Sequence, residues 1–305
     1  MSLGLIFPGQ GSQQVGMGSD FVANHALARE IFEEANDALG FNLLKLCSEG
    51  PEDELTLTFN AQPAILTVST IAHRLLSERA EVAPLALAGH SLGEYSALVA
   101  AGAMTFGDAV RTVHQRGKFM QEATPVGVGA MAAILGMDGE ELEKICQEEA
   151  QGQVVAPANF NTPGQIVISG NAEAVLRVLA RAKGKQLPVS APFHSALMAP
   201  AAQKMEEVLG NVAFANASAP ICTNTDNSFL TEAGAFAPNL VRQITSPVRW
   251  DTGVLAMVGK GVEKLVELGH GAVLAGMNRR IDKSIATKNV FDEESLSESL
   301  KSFFG

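Results

Sequence analysis

Gly89-His90-Ser91-Leu92-Gly93 is a GxSxG pentapeptide. It follows the apolar run Pro84-Leu85-Ala86-Leu87-Ala88 and leads into an amphipathic stretch from Glu94 to Ala101. That order predicts a strand, a sharp turn and a helix. Ser91 would stand exposed at the turn, with the backbone N–H of Leu92 aimed at whatever the hydroxyl attacks. A serine so placed performs acyl transfer or hydrolysis through a covalent ester. The pentapeptide also fits a glycine-rich turn in which Ser91 only caps a helix. Its place after an apolar run favours the nucleophile.

A nucleophilic serine needs a base, and the chain holds six histidines. His25 and His73 sit in helical stretches and read as structural. His90 adjoins Ser91, where side chains at a tight turn diverge. His114 lies two residues from Arg116, the wrong spacing for one helix face. His194, in Ser190-Ala191-Pro192-Phe193-His194-Ser195, lies where a small unit hands back to a larger one, and clefts form at such junctions. A buried loop histidine is the alternative. Gln10 follows the first strand, where open parallel sheets hold their ligands, so its backbone N–H could join that of Leu92 in an oxyanion hole. Arg116 could bind a carboxylate through two parallel hydrogen bonds. Gly117 beside it, in mid-helix, implies a close approach by backbone or ligand.

These residues need elements to hold them. Strands are expected at Leu3 to Phe7 and before the pentapeptide. Helices are expected over Phe21 to Leu39, Pro63 to Leu76 (Pro63 in its first turn) and Gly107 to Gln121. Residues 125–190 then read β-α-β-β-α-β: Ala130 to Leu135, Asp138 to Ala150, Val154 to Ala156, Gln165 to Ser169, Ala172 to Lys183 and Gln186 to Val189. Residues 159–164 form the link between the middle strands. This is the ferredoxin-like order. Helices follow at Ser195 to Leu209, Ala237 to Ile244 and Trp250 to Val258. A strand, Val262 to Leu268, and a helix, Ala272 to Ile281, come last. The fold class is therefore α/β, a mostly parallel sheet with a smaller inserted unit. The expected division is 1–124 with 191–305 for the core and 125–190 for the insert.

The chain has 305 residues, 47% hydrophobic and 18% charged, enough for a large core. A net charge of −11 argues against nucleic-acid binding. The first basic residue is Arg29, so no signal peptide is expected, and no apolar run is long enough to span a bilayer. Three scattered cysteines make neither a disulfide framework nor a metal site. A cytoplasmic protein without a metal is expected.

Seven strings, in order, extend the argument: FPGQGSQ from Phe7, GHSLGEYSALVAAG from Gly89, QRGKFMQ from Gln115, GAMAAILG from Gly129, NFNTPGQIVISG from Asn159, PFHSALM from Pro192 and LVRQITSPVRW from Leu240. Together they resemble the malonyl-CoA:acyl carrier protein transacylases, acyltransferases that load malonyl units for fatty acid synthesis. The similarity runs from about Leu5 to Ile281. It implies an α/β-hydrolase-like core with a ferredoxin-like insert. It assigns Ser91 as nucleophile and His194 as general base, oriented by the backbone carbonyl of Gln243 in place of an acid. Gln10 and Leu92 would form the oxyanion hole, and Arg116 would grip the malonyl carboxylate. Asn161, Phe193 and Met120 would line the acyl site. In related polyketide acyltransferases, a Phe before this histidine accompanies malonyl use.

The resemblance further implies coenzyme A thioester and acyl carrier protein as partners, no cofactor, and a monomer. Gly269-His270-Gly271 departs from the Gly-Pro-Gly common in relatives, and His270 receives no role. Arg181, Lys183 and Lys185, or Arg279, Arg280 and Lys283, are candidate docking patches for the acidic carrier. A serine esterase or thioesterase on a similar core, a trans-acting polyketide acyltransferase and a non-catalytic carrier-binding module are the other readings.

Overall fold

The computed structural model describes residues 2–189 and 191–305. Ser190, which closes the expected insert, lies outside the described residues. Among the described residues eleven strands form two sheets. They are β1 (Leu3–Phe7), β2 (Ala86–Gly89), β3 (Gly129–Leu135), β4 (Val155–Thr162), β5 (Gln165–Asn171), β6 (Gly184–Gln186), β7 (Ile221–Cys222), β8 (Phe229–Leu230), β9 (Val248–Arg249), β10 (Lys264–Leu268) and β11 (Ala286–Val290). The larger sheet runs β11-β10-β1-β2-β7-β8, parallel throughout except for the β7–β8 hairpin. β1 is buried at every residue, as a central parallel strand covered on both faces must be.

The smaller sheet runs β6-β3-β5-β4-β9. Its first four strands take the fourth, first, third and second places of the β-α-β-β-α-β unit, as the sequence order predicts. Alternation along β3 and β5 gives the sheet two apolar faces. Ala130, Ala132, Ile134, Ile166 and Ile168 pack on the unit's own helices, Gly139–Ala150 and Ala172–Arg181. Met131 and Val167 point the other way, into the main core. β9 comes from outside residues 125–190 and pairs in parallel with β4, Asn159 opposite Val248 and Phe160 opposite Arg249. The small sheet is thus completed by a strand from the rest of the chain.

Several expected elements move, each for a local reason. The helix expected over Phe21 to Leu39 is two, Ser19–Asn24 and Ala26–Leu39, because His25 is extended between them. There its Nε2 meets Glu293 at 2.6 Å, in the C-terminal helix Glu293–Phe303. The helix around Pro63 begins earlier and spans Thr58–Arg79, so Pro63 is internal. Proline has no N–H for the Phe59 carbonyl, and that carbonyl accepts from His114 Nδ1 at 2.8 Å instead.

Gly117, in the facing helix Phe106–Glu122, is the reason these two helices come so close. A Cβ there would lie 2.6 Å from the Phe59 Cα. The approach is by backbone, not ligand. The expected link at 159–164 is largely strand, since β4 continues through Thr162 with two irregularities in its pairing to β5. β6 ends at Gln186, although Leu187 N still donates to the Met131 carbonyl of β3 at 2.9 Å, and Leu187, Pro188 and Val189 line a cavity. A short 3₁₀ turn, Ala196–Met198, precedes the helix Ala199–Gly210. The remaining large-domain helices include Ala233–Thr245, Trp250–Gly259 and Val273–Ile281.

Candidate active site

The pentapeptide is a strand–turn–helix elbow. β2 ends at Gly89, Ser91 takes φ +52°, and a helix spans Gly93–Ala100. A non-glycine residue in this left-handed region costs about 1–3 kcal/mol and must be held by its surroundings. The two glycines are demanded by contact. A Cβ on Gly89 would fall 1.9 Å from the Gly93 carbonyl carbon, and one on Gly93 would fall 2.1 Å from the Phe7 oxygen. Asn224 braces the turn from the side. Its Oδ1 accepts from Ser91 N at 2.6 Å, and its Nδ2 donates to the Gly89 carbonyl at 2.6 Å.

His194 is also left-handed, at φ +56°. Its Nε2 lies 2.7 Å from Ser91 Oγ, and its Nδ1 lies 3.0 Å from the Gln243 carbonyl. A carbonyl can only accept, so Nδ1 carries the proton and Nε2 is left to accept from the serine. Burial, helped by the nearby Arg116 cation, pushes the His194 pKa down to about 3. The imidazole is therefore neutral at neutral pH, with Nε2 unprotonated.

Arg116 is 1% exposed. Its Nη2 donates to Ser91 Oγ at 3.1 Å and to Gln243 Oε1 at 2.9 Å, and its Nη1 donates to Gln62 Oε1 at 3.0 Å. These acceptors are uncharged. Among the described residues no carboxylate lies within ion-pair distance of it. A buried guanidinium without an anion is costly and is poised to receive one.

These groups open on a cavity of about 340 Å³. Gln10, Ser91, Leu92, Arg116, Met120, Asn161, Phe193 and His194 all line it, while Gln243 stands behind them. The backbone N–H groups of Gln10 and Leu92 have no backbone acceptor among the described residues. Met131 and Val167 supply a wall from the small sheet, and Val273, Leu274 and Met277 supply another. The helix bearing the last three is fixed by buried Glu267, which accepts from Leu274 N at 3.0 Å and Ala275 N at 2.9 Å.

His90 also lines the cavity, although its Nε2 is bonded to Asn161 Oδ1 at 2.9 Å and not to Ser91. Sequence reasoning missed Gln62, Glu94, Asn224 and Asn239. Glu94 did leave a signal, as the one charged residue of its helix. Gln62 and Asn224 left none, because uncharged amides in a long apolar helix and in a short connection follow no pattern. His114 lies elsewhere, between Phe41 and Phe59.

The acyl transferase domain family matches residues 5–296. The malonyl CoA-acyl carrier protein transacylase of Escherichia coli K12 is 46% identical, over 97% of this chain and 98% of its own. The chain belongs to the malonyl CoA-acyl carrier protein transacylase family. The Bacillus subtilis 168 member is 44% identical, with 98% and 96% covered. Among solved structures, an acyl carrier protein S-malonyltransferase from Vibrio cholerae superposes with a TM-score of 0.95 at 43% identity, covering 98% and 99%. A malonyl-transacylase in complex with its type II polyketide acyl carrier protein gives 0.96 at 44% identity, covering 99% of each chain. The α/β core with a smaller second unit is thus a family property, and the protein is an acyltransferase.

The lowered His194 pKa has a direction that can be measured. The acid limb of kcat/KM for malonyl-CoA, which reports groups of the free enzyme, should lie well below 6.5, the ordinary histidine value. The unfolded chain binds this proton more readily, so the same group should erode stability as pH falls from 6.5 toward 3. A pH–rate profile with its acid limb at or above 6.5 would contradict a buried neutral base.

Proposed function

We propose that this protein transfers a malonyl group from coenzyme A to the phosphopantetheine thiol of an acyl carrier protein, for fatty acid biosynthesis. The observation that carries the reading is Arg116, buried without a carboxylate and 3.1 Å from Ser91 Oγ. A malonyl group brings the missing anion. It would seat its free carboxylate on Arg116 and so hold its thioester carbonyl against the serine.

Ser91 Oγ attacks that carbonyl while His194 Nε2 takes its proton. The backbone N–H groups of Gln10 and Leu92 receive the oxyanion. The C–S bond breaks, His194 returns the proton to the coenzyme A sulfur, and malonyl-Ser91 remains. The carrier thiol then reverses the sequence with His194 as base. Atoms and charge balance with one acyl group moving between two thiols, so the scheme calls on no redox or metal cofactor. Asn161, Phe193 and Met120 would shape the acyl pocket. An esterase would have no use for the buried cation.

The catalytic core in this reading is 1–124 with 191–305, and residues 125–190 are an insert whose sheet forms one wall. The site as assigned is complete within one chain, and the reading takes the protein as a monomer. Three buried free thiols, Cys47, Cys146 and Cys222, suit a reducing cytoplasm. A polyketide carrier is the second reading, favoured by the relative solved with one.

Of the two basic patches, Arg181 is engaged by Glu148 and Glu149, each at 2.8 Å. Arg279 and Arg280 are exposed on the last turn of the helix whose first residues line the cavity. Carrier docking there would bring its prosthetic arm to Ser91. Reversing the charge of Arg279 and Arg280 should raise KM for the carrier and leave KM for malonyl-CoA unchanged. Equal effects on both, or none, would reject this patch.

Replacement of Arg116 by alanine tests the function itself. Each charged hydrogen bond lost should cost about 1.5–3 kcal/mol of malonyl recognition. Carrier acylation from malonyl-CoA should therefore fall at least tenfold relative to acetyl-CoA. Unchanged discrimination between the two donors would overturn the assignment.

A further inference from the structure

Glu94 lies directly after the pentapeptide and is 1% exposed, and the reaction scheme leaves it without a part. Its carboxylate receives only donors. Oε2 accepts from Gln243 Nε2 at 2.9 Å and Asn224 N at 3.1 Å, and Oε1 accepts from Asn239 Nδ2 at 2.5 Å. Two of those partners act on Ser91 from opposite sides. Asn224 braces the elbow at Ser91 N, while the Gln243 amide also donates to the Ser91 carbonyl at 3.0 Å. Gln243 passes the constraint on, since its Oε1 takes Arg116 and its backbone oxygen takes His194.

The charge matters as well as the geometry. Burial pushes the Glu94 pKa up and the Arg116 pKa down, and each group's charge offsets part of that for the other across the Gln243 amide. A carboxylate in direct contact with Arg116 would fill the place of the substrate's. One held an amide away offsets the cation without touching its guanidinium.

We propose that Glu94 is a positioning residue and remote counter-charge of the acyl site: it orients Ser91 and Gln243 from behind and sets how tightly Arg116 holds an acyl carboxylate. This rests on the reading of Arg116 as the malonyl-carboxylate site. Removing the negative charge would strengthen the pull on an incoming carboxylate while loosening the catalytic groups. Binding and turnover should then move in opposite directions, which a merely structural residue would not produce. A glutamine cannot substitute freely, because its NH₂ would face one of three donors.

The test measures Kd for malonyl-CoA and acetyl-CoA by calorimetry in a Ser91→Ala background, and kcat with Ser91 intact. Glu94→Gln should raise the preference for binding malonyl over acetyl about tenfold. It should also lower kcat at least tenfold with either donor. Glu94→Asp keeps the charge and shortens the reach, so kcat should fall while the binding preference stays within about twofold. Arg116→Ala is measured beside them. If it fails to lower malonyl preference, the carboxylate-site reading itself is wrong. If it lowers that preference and Glu94→Gln leaves it unchanged, the counter-charge is overturned. Full kcat in Glu94→Asp overturns the positioning role, and it decides the matter alone should the glutamine variant not fold.

Discussion

The Gln243 side chain and carbonyl are the joint on which the site depends. This one buried residue accepts from Arg116, donates to Glu94 and to the Ser91 carbonyl, and accepts from His194. A buried amide is costly unless both its ends are satisfied, and here each partner satisfies one. Ser91, His194 and Arg116 are therefore not positioned independently. A shift in the helix Ala233–Thr245 would move all three. In the proposed reaction the arrangement also lets His194 act without an acid beside it. A carbonyl fixes the tautomer of His194 as a carboxylate would, without adding a charge that would raise its pKa.

Two of the four non-glycine residues with left-handed backbone among the described residues, Ser91 and His194, meet through their side chains. Local strain of this kind persists only where packing over-determines it. Asn224 and the contacts of Gly89 and Gly93 do this at the elbow. The small sheet does more than append a unit. The face turned away from its own helices forms a cavity wall through Met131 and Val167, and β9 ties the sheet to the segment that follows Gln243. In the proposed reaction the apolar side chains of the cavity wall would strengthen a carboxylate's attraction to Arg116 and help shield an ester from water.

Much of this was legible in the sequence. Strong local patterns gave the elbow, β1 and the small sheet's strand order, because glycine contacts and alternation leave marks in adjacent positions, while Met120, Asn161, Phe193 and Gln243 came from the resemblance to known transacylases. The marks were weaker where long-range contacts decide. His25 breaks a helix to reach Glu293, and Pro63 sits inside one because His114 takes the orphaned Phe59 carbonyl. β7, β8 and β9 are two residues each, too short for any period. The polar network behind the nucleophile was hidden for a related reason. Gln62, Asn224 and Asn239 gain meaning only from partners between 54 and 145 positions away.

The most direct test of a malonyl-serine transferase is intact-protein mass spectrometry after brief mixing with malonyl-CoA, on the native protein and on Ser91→Ala. The account predicts one malonyl adduct that requires Ser91, forms weakly or not at all from acetyl-CoA, and disappears when phosphopantetheinylated carrier protein is added. Rapid free malonate with no trapped adduct, or an adduct that survives in Ser91→Ala, would contradict it.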